Sequence, residues 1–264
     1  MSVNSPWRTQ MPELADAIDH IVVGTPNLEA TREELIDLGF QITPHGVHEK
    51  FGTDNYLFVL EDSYVELLGV SGRPAEVRTS LEVLEPCVAA GGGVPMLALA
   101  ANNMDAAHTR LQALGVEATA PLLWSRPADT PDGPRTASFT TMFVNSPMLP
   151  GLKTFYCKHH TPEFVRHRAW REHRNGVQAL QRLIFRSSAL LAQAKPAART
   201  HGGSETDGGG IEFRFGEHVL EYLPGVETQA ELHFSRIQSG GPCNEQKLNT
   251  VRGVSFFLHA RSNG

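Results

Sequence analysis

The stretch Ala17–Val70, AIDHIVVGTPNLEATREELIDLGFQITPHGVHEKFGTDNYLFVLEDSYVELLGV, decides the fold. Ile18, Ile21, Val22 and Val23 are β-branched and apolar, which predicts a strand over Ala17–Gly24. Thr25-Pro26-Asn27 breaks it and places Asn27 as a helix N-cap. Leu28, Ala30, Leu35 and Leu38 then mark one apolar helix face, closed by Gly39 as a C-cap. Phe40–Thr43 is strand-like, and the glycine- and histidine-containing stretch on to Asp54 is a loop or ragged strand. Asn55–Leu60 and Tyr64–Val70 read as strands around the Glu61-Asp62-Ser63 turn. The order is β-α-β-β-β. Its first strand carries one histidine, His20, and its last carries one carboxylate, Glu66. Imidazole and carboxylate are ligand types for Fe, Mn, Ni or Zn, but two ligands are too few for a site.

The same order returns after Ser71–Gly93. Val94–Ala101 is a strand, Asn103 a cap, and Met104, Ala107, Leu111 and Leu114 a helix ending at Gly115. Strands follow at Val116–Trp124, Ala137–Val144 and Leu152–His159. An offset of 76 residues lays Asn27 on Asn103, Leu35 on Leu111 and Gly39 on Gly115. A repeated unit of this size buries its apolar face against its twin, so the two copies are expected in one sheet. The remainder reads as a weaker third copy: a strand over Val177–Arg186, a short helix over Ala189–Ala194, a hairpin at Ile211–Phe215 and His218–Leu223, and a last strand over Val251–His259. Lys195–Gly210 is polar and glycine-rich and is expected to be a mobile connection. The predicted organisation is an α+β chain with an arm over 1–16, βαβββ modules over 17–71 and 94–160, and a degenerate third module over 161–264. The chain then stops where a fourth unit would begin.

With 264 residues and 41% hydrophobic content, the chain can bury a core without staples. A net charge of −6 gives no global attraction for nucleic acid or an anionic membrane. No run of about 18 apolar residues predicts a membrane span. Cys87, Cys157 and Cys243 are odd in number and far apart, which suits a reducing cytoplasm. GxSxG, HExxH, P-loop and dinucleotide glycine patterns are missing where their chemistry would need them.

The DHIVVG start, the GVHEKFGTDNYLF middle and the YVELLG end resemble the vicinal-oxygen-chelate superfamily, and within it the glyoxalase-like domain. The resemblance spans about Asp19–His160, and FYCKHHTPEFVRHRAWREHRNG (Phe155–Gly176) resembles a continuation common in that subfamily. It implies paired modules whose strands curl into a mixed-sheet cup around a divalent transition metal, with helices outside. It also implies that the first and fourth strands of a module lie side by side, bringing His20 and Glu66 together. Further ligands would come from the second module, where the repeat offset puts Met96 opposite His20. A thioether is a poor ligand for these metals. Cys157 and His159 share one face of the last strand, and His159 is the better third ligand on chemical grounds. His20, Glu66 and His159 would make a two-histidine, one-carboxylate set.

Other readings stay open at each position. His20 is a ligand or a satisfied core histidine. Glu66 is a ligand or the partner of an arginine, with Arg126 and Arg182 as candidates. His48 and Asn55 are an acid–base group and a polar orienter, or parts of a turn built on Gly52 and Thr53. Arg126, in LLWSRPADTPDG, resembles a family arginine that would bind a carboxylate or enolate oxygen, or it is a surface residue before a turn. In the third copy Arg182 replaces the histidine, so Arg182 and Glu221 are expected as an ion pair. The expected function is a cytoplasmic, metal-dependent isomerase, lyase or ring-cleaving dioxygenase acting on a small oxygenated metabolite, with a homodimer compatible. The alternatives are a metal-free protein that binds or sequesters a small molecule, as bleomycin-resistance relatives do, or a scaffold that pairs with a partner subunit.

Overall fold

A computed structural model of the chain describes Ala15 and residues 17–236 and 245–260. The expected arm over 1–16 lies, Ala15 aside, outside the described residues, as does Cys243. β1 (Ile18–Gly24) leads into α1 (Leu28–Asp37), where the Asn27 side chain accepts from the Ala30 amide. β2 (Gly46–His48), β3 (Thr53–Val59) and β4 (Tyr64–Val70) complete the first module. Phe40–Thr43 is not a strand: Thr43 alone pairs with β3, its amide to Leu57 O and its hydroxyl to Leu57 N, both at 2.9 Å. The connection to the second module contains a helix that the local pattern does not announce, α2 (Leu81–Ala89), with Pro86 inside it.

β5 (Gly93–Ala100), α3 (Met104–Ala113), β6 (Leu122–Thr130), β7 (Gly133–Phe143) and β8 (Lys153–His159) form the second module. Asn103 caps α3 as Asn27 caps α1, accepting from Ala106 N. β6 starts later and runs further than Val116–Trp124, so Arg126 lies in mid-strand rather than before a turn. Pro127 is tolerated there because β6 is an edge strand paired with β7 alone. The two modules share one eight-stranded sheet ordered β2-β3-β4-β1-β5-β8-β7-β6. β1 is parallel to β4 and antiparallel to β5, and β5 is parallel to β8, so each module's first and last strands are neighbours.

The C-terminal part is corrected by the structure. β9 (Val177–Arg186) is followed by α4 over Ser188–His201, a much longer helix than Ala189–Ala194. Ser187 caps it, and Leu191, Ala194, Ala198 and His201 bury one face, which carries the helix past Pro196. β10 (Ser204–Glu205) then pairs with β11 (Ile211–Phe215), so Lys195–Gly210 is helix and hairpin rather than an unstructured connection. β12 (His218–Leu223) lies parallel to β9, as β4 does to β1. Beyond it the chain does not stop short of a fourth unit. β13 (Gln229–Arg236), β14 (Gln246–Val251) and β15 (Val254–Ala260) are the described strands of a fourth module, with β13 antiparallel to β9 and parallel to β15.

The two sheets meet back to back. Along β3, Tyr56 and Phe58 enter a core shared with Phe234 of β13 and Phe256 of β15, while Asn55 and Leu57 face the opposite, concave side. Phe58 lies 5.8 Å from Phe234 and 6.4 Å from Phe256 between ring centres. The concave faces therefore point away from one another. Among the described residues, no helix is long and apolar enough to cross a membrane.

Candidate functional site

Strand alternation sends His20 and Val22 of β1, and Tyr64, Glu66 and Leu68 of β4, into the concavity of the first sheet. The cavity there has a volume of about 60 Å³ and opens to solvent on one side. Its walls are aromatic: Trp124 stacks on Phe139 at 4.7 Å, Phe51 meets Trp124 edge-on at 4.9 Å, and Phe143 stacks on Phe155 at 5.3 Å. Polar groups are gathered at one end. His20, His48, Asn55, Glu66 and Arg126 all line the cavity, and each is at most 9% exposed.

His20 Nε2 stands 3.6 Å from Glu66 Oε2, too far for a hydrogen bond. Its other nitrogen, Nδ1, donates to Asp19 Oδ2 at 2.6 Å, so Nε2 is the nitrogen turned toward the Glu66 carboxylate. Stacking on Tyr64 at 4.4 Å fixes the ring plane. The second Glu66 oxygen accepts from Asn55 Nδ2 at 2.6 Å. Because that nitrogen is the amide donor, its contact with His48 Nε2 at 3.3 Å makes Nε2 an acceptor, so His48 Nδ1 donates to Thr53 Oγ1 at 3.2 Å. Burial, then the nearby Arg126 charge, pushes the His48 pKa well below the ordinary histidine value. His48 is thus a neutral imidazole with its lone pair on Nε2. Gly46 and Gly52 make this loop buildable: a Cβ at Gly46 would collide with Asn55 Oδ1, and Gly52 has φ +66° in the left-handed region.

Arg126 approaches from the facing edge strand, with Nη1 donating to Pro127 O at 3.0 Å and Nε without a partner among the described residues. Burial lowers its pKa, against the opposing pull of Glu66. No ion pair within 4 Å joins it to Glu66 among the described residues. Arg182, the other candidate partner, is bound to Glu221 at 2.9 Å. The arginine-pair reading of Glu66 therefore has no counterpart in the structure, whereas the expected Arg182–Glu221 pair is present.

His159 lies with Asp19, His20 and Cys157 in a group whose ligand atoms are all within 4.8 Å of one another. Its Nε2 meets Asp19 Oδ2 at 3.0 Å, not Glu66, and it does not line the cavity. Asp19 attracts it because this buried carboxylate also accepts from His20 and from the guanidinium of Arg166. Burial would raise the Asp19 carboxyl, but His159 and His20 outweigh burial and hold it well below the usual range. Asp19 and Arg166 were both missed from sequence. A lone aspartate in an apolar strand was a usable signal for the first, but none linked Arg166 to a partner 147 residues away.

A divalent ion can be tested against these atoms. His20 Nε2 and Glu66 Oε2 stand at a separation close to the roughly 3.0–3.5 Å expected between two ligands with bonds near 2.1 Å. The second module adds little. Met96 lines the cavity, and burial, followed by the Asp19 charge, pushes the Cys157 thiol well up, so it presents a protonated sulfur. His48 is the other ligand-competent group nearby, 3.9 Å from Glu66 Oε1. The donor set fits an ion with two or three protein ligands and open positions.

A family model described as the glyoxalase-like domain matches residues 18–200. No curated protein matches the sequence. Among solved structures, a hypothetical protein from Staphylococcus aureus is similar over 92% of this chain and 99% of its own, with 14% identity and a TM-score of 0.69. Methylmalonyl-CoA epimerase from Mycobacterium tuberculosis, 16% identical, covers 58% of this chain and 94% of its own with a TM-score of 0.40. A variant of the Streptomyces coelicolor methylmalonyl-CoA epimerase in complex with 2-nitronate-propionyl-CoA, 22% identical, covers 54% and 96% with a TM-score of 0.38. The family match spans well over half of the sequence and coincides with the βαβββ units: the chain belongs to the glyoxalase-like domain family and has the vicinal-oxygen-chelate fold.

Proposed function

We propose that the first cup is the active site of a metal-dependent isomerase or lyase acting on a small molecule with two adjacent oxygens and an apolar or aromatic body. The observation that carries this reading is the His20–Glu66 pair, an imidazole nitrogen and a carboxylate oxygen 3.6 Å apart at the polar end of an aromatic-walled cavity. A divalent ion held by them would act as a Lewis acid on the substrate oxygens. Asp19 orients His20 through Nδ1. His48, neutral and with Nε2 as acceptor, takes a proton from the carbon beside the carbonyl. Arg126 donates to the oxygen on which negative charge develops, in a cavity where little water competes. Asn55 holds Glu66 and His48 in register.

The test is metal analysis of the purified chain and of Glu66→Gln. The expected result is a transition metal whose affinity falls at least about tenfold in the variant, since a ligating carboxylate is replaced by a neutral amide. Metal affinity unchanged by Glu66→Gln would refute the assignment. The aromatic box around Trp124 and Phe139 favours one second reading, a protein that sequesters an aromatic compound without metal. Tight binding of such a compound by chelator-treated protein, with no turnover, would decide for it.

A further inference from the structure

Seven strands of the first sheet have counterparts in the second, β6 being the exception among the described residues, and the pairing registers align the central ones residue by residue. Val22 of β1 faces Glu66 on one side and Met96 on the other, whereas Ile184 of β9 faces Glu221 and Glu231. Continuing across, Ala98 corresponds to His233, and Cys157, opposite Ala100, corresponds to His259, opposite Ser235. The second module thus offers a thioether, a methyl and a buried thiol where the fourth offers a carboxylate and two imidazoles. We infer that the concave face of the second sheet carries its own divalent transition-metal site, formed by His233, His259 and Glu245.

The geometry supports this apart from the register. His233 Nδ1 and His259 Nε2 are 2.7 Å apart, and Glu245 Oε2 lies 4.0 Å from the first and 3.6 Å from the second. The circle through three points so separated has a radius of about 2.05 Å, matching the roughly 2.0–2.2 Å bonds that Zn²⁺ makes to imidazole nitrogen and carboxylate oxygen. The far nitrogen of His233 is already engaged: Nε2 meets Glu231 Oε2 at 3.3 Å, and the other Glu231 oxygen accepts from Arg186 Nε at 2.7 Å. A carboxylate behind a ligating imidazole fixes the tautomer that leaves Nδ1 to the ion. Phe257 stacks on His233 at 4.6 Å with an interplanar angle of 8°, holding the ring. The Glu245 side chain is 54% exposed, so the site opens to solvent and leaves a position for water or a ligand. A borderline ion such as Zn²⁺ is the chemical class that two imidazoles and one carboxylate select.

Titration of the full chain, freed of metal by chelator, with Zn²⁺ and Co²⁺ tests the site by calorimetry and by the visible bands of bound Co²⁺. The Glu66→Gln protein is expected to keep this site, whereas His259→Gln and Glu245→Gln, both at partly exposed positions, should weaken it at least about tenfold. Failure of the Glu66→Gln protein to bind either ion, or binding indifferent to both His259→Gln and Glu245→Gln, would overturn the inference in favour of a plain His233–His259 hydrogen bond. The proposed first-cup function is judged separately, by what Glu66→Gln itself removes.

Discussion

Replacing Asp19 by Asn changes one atom and tests how the cup is held. The Asp19 carboxylate accepts from His20 Nδ1 at 2.6 Å, from His159 Nε2 at 3.0 Å and from Arg166, with its side chain 5% exposed. Both rings sit on Oδ2 and Arg166 on Oδ1. Asparagine therefore either turns its NH2 toward both rings, or keeps a neutral acceptor for them and turns the NH2 against the guanidinium. In both cases Arg166 loses its counter-charge. Hydrogen bonds to a charged group contribute about 1.5–3 kcal/mol each against about 1 for neutral ones. Two weakened contacts and an unpaired guanidinium then sum to about 3 kcal/mol, at the low end of the 3–5 kcal/mol seen when a buried pair is broken. For a chain of this size that is a fall in Tm of about 6–12 °C, measured by circular dichroism. His20 also loses the charged acceptor that fixes its tautomer, so metal affinity at the first cup should fall about 10–100-fold in a titration. An Asp19→Asn protein that melts within about 1 °C of the parent and binds metal equally well would refute the reasoning.

Buried histidines set the pH dependence of stability. Burial lowers the pKa values of His48, His173, His201 and His233 in the folded chain, so below the unfolded value near 6.5 the unfolded state binds more protons. Their contribution is complete above about pH 6.5 and is lost as pH falls toward the lowered values, so urea unfolding should give less stability at pH 5.5 than at 7.5. Equal or greater stability at pH 5.5 would contradict this, and His48→Gln should flatten the dependence. Asp19 acts in the same direction only below about pH 3.9, outside this window. Phe58→Ala should cost about 3–5 kcal/mol in urea unfolding, because Phe58 is fully buried between the sheets against Phe40, Phe234 and Phe256. A loss below about 1 kcal/mol would mean that the sheets do not share that core.

Where an element is specified locally, its sequence predicts it well. Asn27 and Asn103 are helix caps, Tyr64–Val70 is β4 to the residue, and the 76-residue offset reflects two modules in one sheet. Where burial by distant strands overrides local preference, the reading fails. α4 crosses Pro196 because Ala198 and His201 are buried, and β6 carries Pro127 because nothing pairs with its outer edge. The fourth module is not legible because the sequence around strand β13 carries no Asn-capped, Gly-terminated apolar helix pattern like those after Asn27 and Asn103. At the site, alternation put His20 and Glu66 on facing positions, and the loop motif brought His48 and Asn55 beside them. Parity placed His159 on the same side as His20, but it could not show that Asp19, and not Glu66, is the carboxylate His159 meets.

The back-to-back packing of the sheets has a consequence for how such a chain can change. Each strand alternates between a shared interior and a face that belongs to one cup alone. On β13, Leu232 and Phe234 serve the interior while Glu231 and His233 face outward, and on β5 Leu97 and Leu99 do so while Met96 and Ala98 line the cavity side. Substitution at every second residue therefore rewrites the chemistry of one cup without disturbing the core or the opposite cup. Duplicated modules built this way can diverge in ligand set at constant fold, one toward an aromatic-walled chamber and the other toward an open, charged surface.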